Sequence, residues 1–149
     1  MAETVHEDHV HRVGIARHPI SPILLPVPIV CFVGALITDL TYDSSGGNLQ
    51  WVNFSSWLIA AGLLFGGILV VLMLIDLIRL PQLRSRDGWA GFALLIAAWV
   101  VELINSFVHA RDGWTAVVPL GLILSVIGAL QILIFGWLWH ETRYEGARP

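Results

Sequence analysis

The chain of 149 residues is strongly hydrophobic, with 56% hydrophobic and only 13% charged residues. A soluble domain of this composition would lack the polar residues that cover a surface, so we expect lipid to be its main solvent. The net charge of −3 at pH 7 leaves no basic surface, which argues against nucleic acid as a partner.

Four apolar segments are long enough to cross a bilayer, because a hydrocarbon core of about 30 Å needs roughly 20 helical residues. They cover residues 22–41, 56–80, 88–109 and 114–139, with a polar loop at 42–55. A polar N-terminal tail (1–17) and a C-terminal tail (142–149) flank the four-helix domain (18–141). The sequence therefore predicts an all-α integral membrane bundle of four transmembrane helices.

The arginines are distributed unequally between the two sides of this bundle. Seven of them fall on the side shared by both tails and the second loop: Arg12, Arg17, Arg79, Arg84, Arg86, Arg143 and Arg148. Arg111 alone falls on the other side. The positive-inside rule therefore predicts that both termini are cytoplasmic.

The first helix is rich in proline, which removes a backbone hydrogen bond wherever it lies beyond the first helical turn. Four prolines occupy its start, namely Pro19, Pro22, Pro26 and Pro28. We expect this helix to be kinked or partly unwound. Two stripes of small residues, Gly62 with Gly66 and Gly121 with Ser125 and Ala129, indicate close helix packing, either within the bundle or at a dimer seam.

Polar residues at membrane depth are the first candidates for a site, since an unpaired ionisable group there is costly. Glu102, Asn105 and His109 follow at spacings of three and four, so they share one helical face. Asp39, near the outer end of the first helix, could meet that face. These four residues, the Asp39 group, predict either an ion or proton path or a set of hydrogen bonds that docks the helices.

A second group of polar residues gathers at the inner ends of the predicted helices. This His18 group consists of His18, Asp76, Arg79 and His140. Such interfacial residues pair with one another or reach into headgroups, and the alternative is a ligand or metal site. Haem b held by two histidines could lie only here, because His18 and His140 are the histidines that share one end.

The N-terminal tail carries His6, His9 and His11 beside acidic residues, a composition that suits transition metals. A tail without a fold cannot set ligand geometry, so a solvated tail that binds a partner is the competing interpretation. These histidines are the candidate metal ligands. Apart from haem b at His18 and His140 and a metal at the tail histidines, we expect no cofactor.

Short segments spread along the chain resemble a known family. They are residues 18–28 (HPISPILLPVP), 38–40 (TDL), 75–77 (IDL), 80–81 (LP) and 136–138 (GWL). From His18 to about Gly146 the chain resembles the bacterial four-helix membrane family known as domain of unknown function 2231. The resemblance implies a four-helix bundle of unassigned activity in the bacterial inner membrane.

The family pattern carries additional histidines, and the resemblance therefore implies a redox role. Only His18 clearly matches among the expected histidines. The chain departs from the pattern at Ser21, Pro26 and Trp89, and again at Trp139 and His140, where small residues are usual. These departures weaken a metal or haem role that would be carried over from the family.

Two functional hypotheses follow for this chain. The first is a non-enzymatic membrane protein, either an accessory subunit of a larger membrane complex or a bundle that associates with itself. The second is a redox or transport protein, with haem b at the inner rim or an ion path past Asp39, Glu102 and His109. The first is favoured because no nucleophile and base stand in a recognisable catalytic motif.

Overall fold

The computed structural model describes residues 20–111 and 117–145, without the side chains of residues 82 and 140–145. Its helices are α1 (Ser21–Leu24), α2 (Pro26–Ser44), α3 (Leu49–Arg79), α4 (Arg86–His109) and α5 (Leu122–Glu145). A 3-10 turn (Pro81–Leu83) joins α3 to α4, and an irregular helical turn (Val117–Gly121) precedes α5. Within these ranges four segments are long and apolar enough to span a membrane, which confirms the predicted all-α membrane bundle.

Helix α3 is longer than the sequence predicts, because it begins at Leu49 rather than at residue 56. The Asn48 side chain accepts a hydrogen bond from the backbone N–H of Gln50 at 3.1 Å and so caps the helix. Two glycines, Gly46 and Gly47, supply positive φ angles of 71° and 88° in the tight turn before it. Hydropathy does not extend the helix this far because Gln50, Asn53 and Ser55 interrupt the apolar residues of these turns.

The proline-rich start of the first span is less disturbed than expected. The interruption is confined to Leu25, whose φ of −56° and ψ of −40° remain helical. Its backbone N–H still donates to the carbonyl of Ser21 at 3.0 Å. Pro22 and Pro26 fall in the first turn of α1 and of α2, where a missing N–H breaks no bond inside the helix.

The four spans form a ring in which α2 packs on α3 and α5, and α4 packs on the same two helices. A core of apolar side chains fills its centre: Leu25, Phe32, Leu69, Leu95, Ala98, Ile132 and Phe135. Gly62 lets α2 approach α3, since a Cβ there would lie 2.3 Å from Phe32 Cε1. The stripe of Gly62 and Gly66 thus packs inside the bundle.

The up-and-down order of the helices places two pairs of helix ends at each end of the bundle. The end of α2, the start of α3, the end of α4 and the turn before α5 come together at what we call the His109 end. The α3–α4 turn lies at the opposite end, which we call the Arg84 end. There Arg84 Nε donates to the carbonyl of Leu77 at 2.8 Å and closes the end of α3.

Candidate functional site

The Asp39 group assembles as one buried cluster near the His109 end. Asp39, Glu102 and Asn105 have no exposed surface, and His109 is 9% exposed. The helical period of α4 puts its three residues on one face, and Asp39 reaches that face from α2. The predicted encounter between the first and third spans is therefore present.

A contact between His109 and Asp39 forms the centre of the cluster, with Nε2 3.0 Å from Oδ1. The other ring nitrogen, Nδ1, lies 3.0 Å from the carbonyl oxygen of Asn105. Because a carbonyl oxygen can only accept, Nδ1 carries a proton and donates it. The Nε2 contact then holds a second proton, whether on the imidazole or on the carboxyl group.

Two serines that the sequence analysis did not assign to this site complete the cluster. Ser125 Oγ donates to Asp39 Oδ2 at 2.5 Å and accepts from Asn105 Nδ2 at 2.8 Å. Ser55 Oγ lies 3.2 Å from His109 Nε2 and donates to the carbonyl of Ala35 at 3.4 Å. Each of the four spans thus contributes to one network.

We call this set the Asp39 network: Asp39, Ser55, Glu102, Asn105, His109 and Ser125. The sequence predicts Ser55 in a loop and Ser125 in a packing stripe. The signal that could identify both serines is their distance from the helix start. Each hydroxyl lies within about two turns of the start of its helix at the His109 end, the same depth as Asp39 and His109. Hydroxyl side chains in spans commonly bond across helices.

Glu102 lies at the deepest point of the network and is incompletely paired. Its Oε2 accepts a hydrogen bond from Asn105 Nδ2 at 3.0 Å. Within the described ranges, Glu102 Oε1 and Asn105 Oδ1 are buried atoms without a hydrogen-bond partner. Oε1 packs against Gly128 of α5, where a Cβ would lie only 2.0 Å away.

The composition of the network limits its chemistry. The basic side chain that bonds to it among the described residues is His109. In the part of the chain that the structure describes, no group of three or more His, Cys, Asp or Glu side chains could hold a metal ion. The arrangement can hold protons and dock helices, and it is poorly suited to coordinate a divalent metal.

The His18 group is only partly described. His18 lies outside the described residues, and so does the side chain of His140. Asp76 is buried on α3, whereas Arg79 is exposed one turn later. The candidate metal ligands His6, His9 and His11 also lie outside the described residues, so all of these assignments stay predictions.

A small cavity lies between the helices near the Arg84 end. Its lining side chains are Ser21, Leu25, Leu69, Met73, Leu95, Phe135 and Trp139. The cavity has a volume of about 10 Å³, which is room for about one water molecule. This cavity is too small to hold a haem.

Comparison with known proteins agrees with this architecture. Residues 17–147 match the family described as predicted membrane protein, DUF2231. No curated protein and no solved structure matches the chain. The match covers all four spans, the Asp39 group and the His18 group. The tail histidines His6, His9 and His11 lie outside it. The chain therefore belongs to the DUF2231 family of predicted membrane proteins.

Proposed function

We propose that this multi-pass membrane protein is a non-catalytic building unit, either an accessory subunit of a larger membrane complex or a bundle that associates with itself. The observation that supports this is the Asp39 network. Its polar side chains at the His109 end bond to one another and so join α2, α3, α4 and α5. A rigid bundle of this kind offers its outer faces for association.

The outer faces of the described helices favour contacts with lipid or with other helices. Large apolar side chains point outward along every span, with Ile23, Trp57, Leu64, Phe107 and Trp137 among the most exposed. The fully buried polar side chains Asp39, Glu102, Asn105 and Ser125 face inward instead. Membrane helices associate through packing and a few hydrogen bonds, so such faces bind lipid or another membrane protein rather than a soluble one.

The test is the composition of the particle that contains the full-length protein. Extracted in a mild detergent from its native membrane, it should have a fixed mass larger than one chain by native mass spectrometry. The protein expressed alone separates the two forms, since only a self-associating bundle keeps that mass. A single chain in both preparations, and in lipid nanodiscs, would contradict the proposal.

An ion or proton path past Asp39, Glu102 and His109 is the second candidate. The observation that favours it is an unbroken series of hydrogen bonds from His109 through Asp39, Ser125 and Asn105 to Glu102. In proteoliposomes, Glu102→Gln should abolish proton or cation flux, whereas Asp43→Asn, an exposed position on the same α2 as Asp39, should not. Equal flux in the wild type and Glu102→Gln would rule out the path.

A redox role through haem b at His18 and His140 is kept as a further proposal because the two histidines share one end of the sequence-predicted bundle. A reduced-minus-oxidised absorption spectrum of the purified protein tests it. A sharp band on reduction that disappears in His140→Ala would support haem, and a colourless preparation would dismiss it.

We also propose that the protein resides in a bacterial inner membrane with both termini in the cytoplasm. The support is the excess of arginine on one side, with Arg111 alone on the other. Reporter fusions at either terminus should both be active in the cytoplasm. Periplasmic activity of a fusion at either terminus would contradict this topology.

A further inference from the structure

The charges around Glu102 do not balance if its carboxyl group is ionised. Asn105 bonds to it directly, and the other polar groups of the same network are Asp39 from α2, Ser55 from α3, His109 from α4 and Ser125 from α5. The one base among them, His109, is already paired with Asp39 at 3.0 Å. An ionised Glu102 would be a second negative charge with no exposed surface and no counter-ion among the described residues.

Such a charge at membrane depth carries a desolvation penalty that one neutral hydrogen bond from Asn105 cannot offset. Two kinds of ligand would neutralise it: a metal cation or a proton. The geometry around the free oxygen, Oε1, discriminates between them.

A bound metal cation needs several oxygen ligands and the space to hold them. Oε1 instead packs against the backbone of α5 at Gly128, at a point where even a methyl group would be 2.0 Å from it. Two further buried oxygens of the described chain lack a hydrogen-bond partner, Asn105 Oδ1 on the same helix and Gln131 Oε1 one turn from Gly128 on α5. A proton needs no added volume and removes the charge, so it fits where a metal cation does not.

We propose that Glu102 is a buried proton-binding site, which carries its proton on Oε1 while Oε2 accepts from Asn105. The Asp39–His109 contact holds a separate proton, so the network contains two acidic protons and no net charge. The site is closed by Gly128 on one side and by the side chains of the His109 end on the other. It binds its proton whether or not the protein conducts ions or associates with partners.

Infrared spectroscopy of the full-length protein tests the site, because a protonated carboxyl group has a carbonyl stretching band that a carboxylate lacks. Exposed carboxyl groups are ionised at neutral pH and do not contribute to this band. We expect the wild type to show the band at neutral pH. Glu102→Gln should lose the intensity of one carboxyl group, and Asp43→Asn should retain it.

The same measurement remains decisive if Glu102→Gln does not fold. Labelling the glutamate carboxyl groups of the wild type with ¹³C should shift the Glu102 part of the band, whereas any part that arises from the Asp39 carboxyl group would not move. Absence of the band at neutral pH, or a band that neither the substitution nor the label changes, would overturn the proposal. Loss of the wild-type band on adding sodium would overturn it in favour of a cation site.

Discussion

The two halves of the bundle are held together by different forces. Near the His109 end, six polar side chains from four spans bond to one another. The middle and, apart from the buried Asp76, the Arg84 end are packed mainly from apolar side chains around Phe32, Leu69 and Leu95. In lipid, apolar side chains gain little by leaving their solvent, so the apolar half relies on close fit. The polar half relies on directional bonds, which determine how the helices dock.

The largest effect should come from breaking the centre of the polar half. Asp39→Ala leaves His109 and Ser125 without their shared acceptor, and removal of one partner from a buried ion pair destabilises by about 3–5 kcal/mol. The free energy of unfolding in mixed micelles measures this. Asp43→Ala, one turn further along α2 and exposed, should change it by less than about 0.5 kcal/mol. Equal losses for both variants would mean that the network does not hold the bundle.

Gly128→Ala tests the close contact between α5 and Glu102. The added methyl group must displace the Glu102 carboxyl group, and overpacking of this kind destabilises by about 1–3 kcal/mol. Gly91→Ala is the matched control, because its Cβ would meet Met73 Cε at an ordinary 3.7 Å. If both substitutions lowered the free energy of unfolding equally, the close packing of Glu102 against Gly128 would be disproved.

Gly62→Ala makes the corresponding test in the apolar half. Its Cβ would lie 2.3 Å from Phe32 Cε1, so we expect a loss of about 1–2 kcal/mol, smaller because apolar side chains can repack. Phe32→Leu in the same chain should restore part of it. Gly66→Ala, whose Cβ would be 3.4 Å from Trp99 Cδ1, should be better tolerated. A loss in Gly62→Ala that Phe32→Leu does not relieve would point to a different cause.

The smallest effect should come from neighbouring serines on α3. Ser55 Oγ bonds across helices to His109 and to the Ala35 carbonyl, while Ser56 Oγ donates only to Val52 of its own helix. Ser55→Ala should lower the free energy of unfolding by about 0.6 kcal/mol, the average for interhelical bonds in membranes, and Ser56→Ala by less. The reverse order would show that Ser55 is peripheral to the network.

Much of the site could be predicted from the sequence because charge is conspicuous in an apolar chain. Glu102, Asn105 and His109 were found by helical spacing, and Asp39 by its depth. Ser55, Ser125 and Gly128 were not found, because a hydroxyl or a missing side chain has little effect on hydropathy. Their partners are far away in the chain, with Ser125 separated from Asp39 by 86 residues.

The length of α3 and the mild break at Leu25 show the same limit for the fold. Hydropathy locates the part of a helix that lies in hydrocarbon, whereas the N-cap at Asn48 determines where the helix begins. Prolines in the sequence predicted unwinding, but their place in the first turn of α1 and α2 made them compatible with a helix.

By itself the sequence determined that this protein crosses the membrane with four helices, because a run of about 20 apolar residues has no other stable solvent. It also determined which helix faces carry charge. Only the tertiary structure decided that two serines join the network and that Gly128 closes the space beside Glu102 Oε1. These are contacts between side chains of different helices, and they depend on the depth and rotation of each helix, which a linear sequence does not contain.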